Sequence, residues 1–376
     1  MFAAHPIVSA DGHVAETEDV FADIDPKFRE ERPRAVYDER AGAMLSIPNI
    51  DLKIPMGLLC TGGRSPEEFG KPIPWEQIHP AGHDPRARLE IQDQEGLAAE
   101  IIYPSVGMVL CNHPDPQYKK ACFAVYNRWL AEFCAPDPER LVGLGVASLC
   151  TVEEGIRELE EIKRLGFCGV MLPGTPDVED YHHPCYDPVW QACVDLDLPV
   201  SFHILTSRGD LGGPIRGPAI IYQIVTVRGN QNIMMMLIFG GVFERHPGLK
   251  VVCVEADAGW IPHMNFRMDH AWERHRFHLP AAKLQGLPSE YFNEYVYVTF
   301  QDDTSLKHVT EAVNMKRVMW ASDFPHSDGT YPRTREIIES VTEGMTTEQC
   351  RALLCDNVVE LYGLKLSAPP LGPAPR

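Results

Sequence analysis

The stretch "LVGLGVASLCTVEEGIRELEEIKRLGFCGVMLP", residues 141–173, holds one complete turn of the pattern that decides the fold. An apolar run at 141–147 reads as a buried strand, and a second run at 168–173 reads the same way. Between them, residues 151–166 carry apolar positions at helical spacing, with Thr151 placed to cap the first turn and acidic residues just after it. A strand, a helix and a second strand in this order form the unit of a parallel sheet covered by helices.

The same alternation extends in both directions. Apolar runs at 6–10, 99–104, 199–205, 250–255, 295–300 and 317–322 bring the expected strands to eight. Helical patterns at 115–134 and 334–344 lie between or after them. Eight strands alternating with helices is the count of a closed (β/α)8 TIM barrel, an α/β fold. A doubly wound sheet is the alternative, but no G-x-G-x-x-G or P-loop follows any of these strands. Residues 17–98 exceed the length of one connection and are rich in Pro, Gly and charge. They read as an insertion over the barrel mouth that ends in a helix near 86–96. Residues 1–366 are thus expected to form a single barrel domain, and "SAPPLGPAPR" (367–376) a disordered Pro-rich tail.

The chain has 376 residues, a formal net charge of −19, 44% hydrophobic and 23% charged residues, values that suit a globular protein. The acidic balance argues against nucleic acid or an anionic membrane as partner, since both call for clustered Lys and Arg. No apolar run is long enough to span a bilayer, and the N-terminus lacks the features of a secretory signal, so a cytoplasmic location is expected. Eleven cysteines, an odd number without a CxxC pair, read as buried thiols of a reducing compartment.

Barrel enzymes work at the C-terminal ends of their strands, so the residues that close each strand matter most. The first strand runs into Asp11 and His13, two residues apart and therefore on one face of an extended chain. The fifth ends in His203, the sixth in Glu255 and the eighth in Asp323. Carboxylates and imidazoles thus end four strands of one barrel. That N/O donor set suits Zn, Mn or Fe(II). Each residue alone has an ordinary reading: Asp11 as a turn cap, Glu255 as the partner of an arginine, His326 as a loop histidine. Their convergence is what argues for a metal. His246, on the N-terminal side of the sixth strand, reads as structural; His270, His275 and His278 read as a solvated helix surface, and "NIMMMLIFGG" (232–241) as an apolar helix.

Six stretches, "SADGHVAE", "DPRARLEIQDQEGLAAEIIYPS", "VSFHI", "GGVFERHPGLKVVCVEADAGWIP", "WASDFPHSDGT" and "DNVVELYGL", run in order from residue 9 to residue 364. In this set the chain resembles the amidohydrolase superfamily, within it the amidohydrolase-related group that includes aminocarboxymuconate-semialdehyde decarboxylase-like proteins. The resemblance implies a distorted (β/α)8 barrel with a divalent metal, and it assigns roles by position. Asp11 takes the first place of a motif that is often His-x-His, His13 the second. His203 matches the metal ligand of the fifth strand, and Asp323 the aspartate that touches the metal and accepts a proton from bound water. Glu255 stands where decarboxylating relatives commonly carry histidine.

That departure favours hydrolysis of an acyl bond (amide, ester, thioester or lactone) in a small carboxylated or CoA-type substrate, with Asp323 as base for metal-activated water. Nonoxidative decarboxylation of an aromatic or enoic acid is the alternative. Glu255, Asp323 and His326 are the expected catalytic groups; Asp11, His13, His203, Asp323, Glu255 and His263 are the expected ligands for one or two ions. Arg208, Trp260 and Arg333 are candidates for substrate contact, Arg208 because a guanidinium forks onto a carboxylate. The apolar segment 219–225 suggests a surface for a homo-oligomer, expected to be a dimer.

Overall fold

The computed structural model describes residues 5–50, 54–207 and 216–366. Arg208 and the Pro-rich tail lie outside the described residues. The strands are β1 (Val8–His13), β2 (Arg34–Asp38), β3 (Gly42–Ser46), β4 (Ala99–Tyr103), β5 (Leu141–Gly143), β6 (Gly145–Val146), β7 (Val170–Met171), β8 (Val200–His203), β9 (Val251–Val254), β10 (Val296–Phe300) and β11 (Val318–Trp320). Each of the eight expected segments carries strand. The third is split, because Leu144 interrupts it, and its halves serve two parallel sheets ordered β1-β4-β5 and β6-β7-β8-β9-β10-β11. Helices fall between the strands as the periodicity requires. Asp115 caps Pro116–Cys134 by accepting from the Gln117 amide, and Thr151 caps Val152–Arg164 by accepting from the Glu154 amide. The methionine-rich segment lies in the helix Arg228–Phe239, which buries Ile233, Met234, Leu237 and Ile238.

The result is a distorted (β/α)8 barrel whose seam lies between β1 and β11. No strand ladder joins them among the described residues. The seam is instead laced by Asp323 N donating to Asp11 O (3.0 Å), His13 N donating to Phe324 O (2.7 Å) and Ser322 N donating to Ser9 Oγ (2.8 Å). A fully buried arginine from the insertion reinforces it. Arg88 donates through Nη1 to His13 O (2.7 Å), through Nη2 to Phe324 O (3.0 Å) and through Nε to Glu100 Oε2 (2.7 Å). Gly12 is required beside it: a Cβ there would meet Arg88 Nη2 at 2.9 Å.

The insertion has structure of its own. β2 and β3 form an antiparallel hairpin, and the helix Pro85–Glu95 is bounded by the Asp84 cap and by Gly96 at φ 77°. It is tied to the mouth by Thr61 N donating to Pro325 O (2.8 Å) and Ser327 N donating to Leu58 O (3.0 Å). All eleven cysteines are free, nine of them buried. Among the described residues, no helix is long and apolar enough to cross a membrane.

Removing Arg88 leaves Glu100 buried without its counter-charge. Arg88→Met is therefore expected to cost about 3–5 kcal/mol of stability, read from denaturant unfolding. An unfolding midpoint equal to wild type would show that the backbone bonds hold the seam unaided.

Candidate metal centre and cavity

β1 reaches further than its apolar run suggests and carries both Asp11 and His13, with an irregularity in register between Ser9 and Gly12. Their side chains are buried and meet those of His203, at the end of β8, and Asp323, just beyond β11. His13 Nε2 lies 3.2 Å from Asp11 Oδ1 and 3.3 Å from Asp323 Oδ1, and His203 Nε2 lies 3.4 Å from Asp11 Oδ2.

Hydrogen bonds behind the rings decide what those nitrogens present. His13 Nδ1 is 2.9 Å from Pro104 O and His203 Nδ1 is 3.2 Å from Ile204 O. A carbonyl only accepts, so each Nδ1 carries the hydrogen and each Nε2 offers a lone pair. Those lone pairs face carboxylate oxygens that also have none to donate. Both Nε2 atoms and all four carboxylate oxygens of Asp11 and Asp323 are buried without a hydrogen-bond partner. Acceptors packed against acceptors in a buried site call for a cation between them.

The charge balance points the same way. Burial, the largest effect, pulls the His13 pKa down, but Asp11 and Asp323 more than offset it and the value rises to about 10. Burial raises the carboxyl of Asp11 and that of Asp323, yet the adjacent histidines hold both below the usual range. Without an ion the cluster keeps a proton on His13.

His326 repeats the arrangement. Ser105 Oγ donates to Val14 O (2.6 Å), so at 2.7 Å from His326 Nε2 it accepts from that nitrogen. His326 Nδ1 is then a lone pair 3.0 Å from Asp323 Oδ1, and the ring stacks on His13 at 3.8 Å. Ligand atoms fall into two groups, Asp11, His13, His203 and Glu255, and His13, Asp323 and His326.

Glu255 Oε2 stands 3.6 Å from His203 Nδ1. Burial, followed by the charges of Asp323 and Asp11, pushes its carboxyl well above the ordinary value. Glu255, Asp257 and Asp323 all have φ between 50° and 58°, a left-handed backbone that non-glycine residues avoid. Such angles bend the chain sharply as it leaves β9 and β11 and turn these acids toward the mouth.

Above the cluster opens a cavity of about 350 Å³. Glu255, His326, Asp257, Asp328 and Gln301 contribute to its polar lining, with Gln223, Thr226 and Ser327, and Leu58, Leu59 and Met108 contribute to the apolar one. Burial and neighbouring acids push Asp257 and Asp328 up to about 6.

Three expected site residues are not brought to this centre. His263 is exposed on the helix Ile261–His275, beyond a turn that carries it away from the strand end, and belongs to neither group of ligand atoms. Trp260 uses its indole N–H on Ala256 O (2.6 Å) and Asp257 O (3.0 Å) and packs edge-on against Phe292, closing the turn rather than lining the cavity. Arg333 is exposed at the start of the helix Thr334–Val341 and likewise does not line the cavity. Conversely, Ser105 after β4 and Gln301 after β10 take part without having been expected. Both are polar residues closing a strand, the signal that singled out His203 and Asp323.

The amidohydrolase family profile matches residues 77–364. The chain belongs to this family. Among curated relatives, the amidohydrolase is 25% identical over 285 residues to 2-amino-3-carboxymuconate-6-semialdehyde decarboxylase of Dictyostelium discoideum, covering 75% of this chain and 77% of that one. It is 30% identical over 265 residues to gamma-resorcylate decarboxylase of Rhodococcus jostii (strain RHA1), covering 63% and 76%. Its fold matches a dihydroxybenzoic acid decarboxylase from Polaromonas sp. JS666, solved with manganese and the inhibitor 2-nitroresorcinol, with a TM-score of 0.64 at 18% identity over 96% of this chain and 97% of that one.

His203→Ala is expected to lose most of the divalent metal that the wild type holds, and His263→Ala to keep it, by elemental analysis of protein purified without chelator. Equal metal in His203→Ala and wild type would strike His203 from the ligands.

Proposed function

We propose that this amidohydrolase is a divalent-metal-dependent decarboxylase of a hydroxylated aromatic carboxylic acid. The observation that carries the reading is the cluster of histidine lone pairs facing carboxylates at the floor of a cavity large enough for a substituted benzene ring. Both curated relatives are named decarboxylases, which favours carbon–carbon cleavage over the acyl hydrolysis expected from Glu255.

Asp11, His13, His203 and Asp323 would hold the ion, His326 being held beside Asp323 by Ser105. A bound divalent ion would supply a positive charge that holds and orients the substrate at the cavity floor. Manganese suits the N/O donors and is present in the Polaromonas relative. Both ligand groups share His13 and His263 is exposed, which suits one ion better than two.

Glu255 stands where the family resemblance leads one to expect a histidine, and its surroundings fit it for the same role. A buried carboxyl whose pKa is raised well above the ordinary value is suited to act as a general acid. As the bond between ring and carboxylate breaks and CO2 leaves, the electron pair stays on the ring carbon. Glu255 gives that carbon a proton and is reprotonated from water. The apolar lining keeps bulk water from the developing carbanion. A homodimer remains part of the proposal: Ile220 and Ile224 are each 71% exposed, one turn apart, in the apolar segment expected to meet a partner.

The test is CO2 release from 2,6-dihydroxybenzoate by the manganese-loaded protein, abolished by chelation. Glu255→Gln should lower turnover about 10²–10⁴-fold with metal content unchanged. Ester or lactone hydrolysis without CO2 from any hydroxybenzoate would return the reading to a hydrolase.

A further inference from the structure

β10 ends at Phe300, and Gln301 is the next side chain at the mouth. Its backbone is fixed: Trp320 Nε1 donates to Gln301 O at 3.1 Å. Val298 is in register with Cys253, and Glu255 N donates to Thr299 Oγ1 at 2.8 Å, so Gln301 comes level with the Glu255–Asp257 turn. The residue is only 4% exposed and forms part of the cavity lining, yet its amide nitrogen is buried with no hydrogen-bond partner.

A primary amide enclosed in protein with an unused donor is costly unless something completes it. The protein around it does not, and the amide can turn about its last torsion without giving up a bond at nitrogen. Because Gln301 belongs to the cavity lining, a ligand seated there can supply that partner. Asp257 and Asp328 share that lining and offer carboxyl oxygens as acceptors, so a group that donates as well as receives fits this wall of the cavity. A hydroxyl does both; a second carboxylate would meet the acids of the lining.

We propose that Gln301 is the specificity-determining residue that recognises a ring hydroxyl of the substrate. This rests on the substrate class proposed above, but its test does not need turnover. The probes are 2-nitroresorcinol, which has two ring hydroxyls, and benzoate, which has none, each titrated by calorimetry into manganese-loaded wild type and Gln301→Leu. Gln301→Met, closer in length, replaces the leucine variant if that protein fails to fold. The expected result is about tenfold weaker binding of 2-nitroresorcinol by the variant, the worth of one hydrogen bond, with benzoate affinity changed less than twofold. Equal losses for both ligands would make Gln301 a mere shaper of the cavity and overturn the proposal. So would an unchanged affinity for 2-nitroresorcinol, or its failure to bind wild type. Absence of CO2 from 2,6-dihydroxybenzoate, with the ligand-selective loss still present, would defeat the decarboxylase reading and leave Gln301 in its role.

Discussion

The arrangement of the site depends on how the two ends of the barrel are held together, and a buried guanidinium reinforces that seam. The barrel's ends, β1 and β11, do not pair as a ladder, yet they must hold Asp11 and His13 against Asp323 to within about a hydrogen-bond length. Arg88 bridges them by donating to the carbonyls of His13 and Phe324, each within one residue of, or at, a proposed ligand. Burying such a charge is unfavourable unless its donors are met. Glu100 meets them from β4, itself braced by Gln92 Nε2 (2.8 Å) and Ser322 Oγ (3.2 Å), while the Phe324 ring lies 4.6 Å below the guanidinium. One residue of the insertion thereby links three strands, and the insertion is part of the site's support as well as a cover for it.

This support makes an electrostatically unfavourable centre tolerable. Asp11, Asp323 and Glu255 share a buried pocket with lone pairs from three histidines, and two of the acids sit on left-handed backbone. None of these features would persist on a loose scaffold, since each gains by relaxing into water or into ordinary backbone angles. A divalent ion turns the repulsion into the binding force. The alternative is the one the charge balance gives, a proton retained on His13. An overall charge of −19 hides this: the chain is acidic throughout, but at the barrel floor the acids are organised by partners rather than by solvent.

Much of the fold was legible because strands buried on both faces leave uninterrupted apolar runs, and the residue closing each run faces the mouth. Asp11, His13, His203 and Asp323 follow from that rule alone, and Ser105 and Gln301 would have followed from applying it to β4 and β10. His263 was misread because spacing along the chain carries no information on the turn after β9, where left-handed Glu255 and Asp257 redirect the backbone before the helix begins. Trp260 and Arg333 failed for a related reason: closeness to a motif in sequence does not make a side chain part of a cavity wall. Arg88 gave no signal at all, since an arginine in a charged helical segment reads as a solvated face until the seam it fills is known.

Glu255 shows where residue type stops being informative. Read as a carboxylate in place of a histidine, it argues for a metal-bound hydroxide and hydrolysis. Read in its surroundings, it is a carboxyl whose pKa burial and the charges of Asp323 and Asp11 push well above the ordinary value. A carboxylic acid with a raised pKa and an imidazolium are both proton donors, so under the proposed decarboxylation Glu255 would supply the same proton from a different residue type. The chemistry is set by the three acids together, and no one of them carries it in isolation.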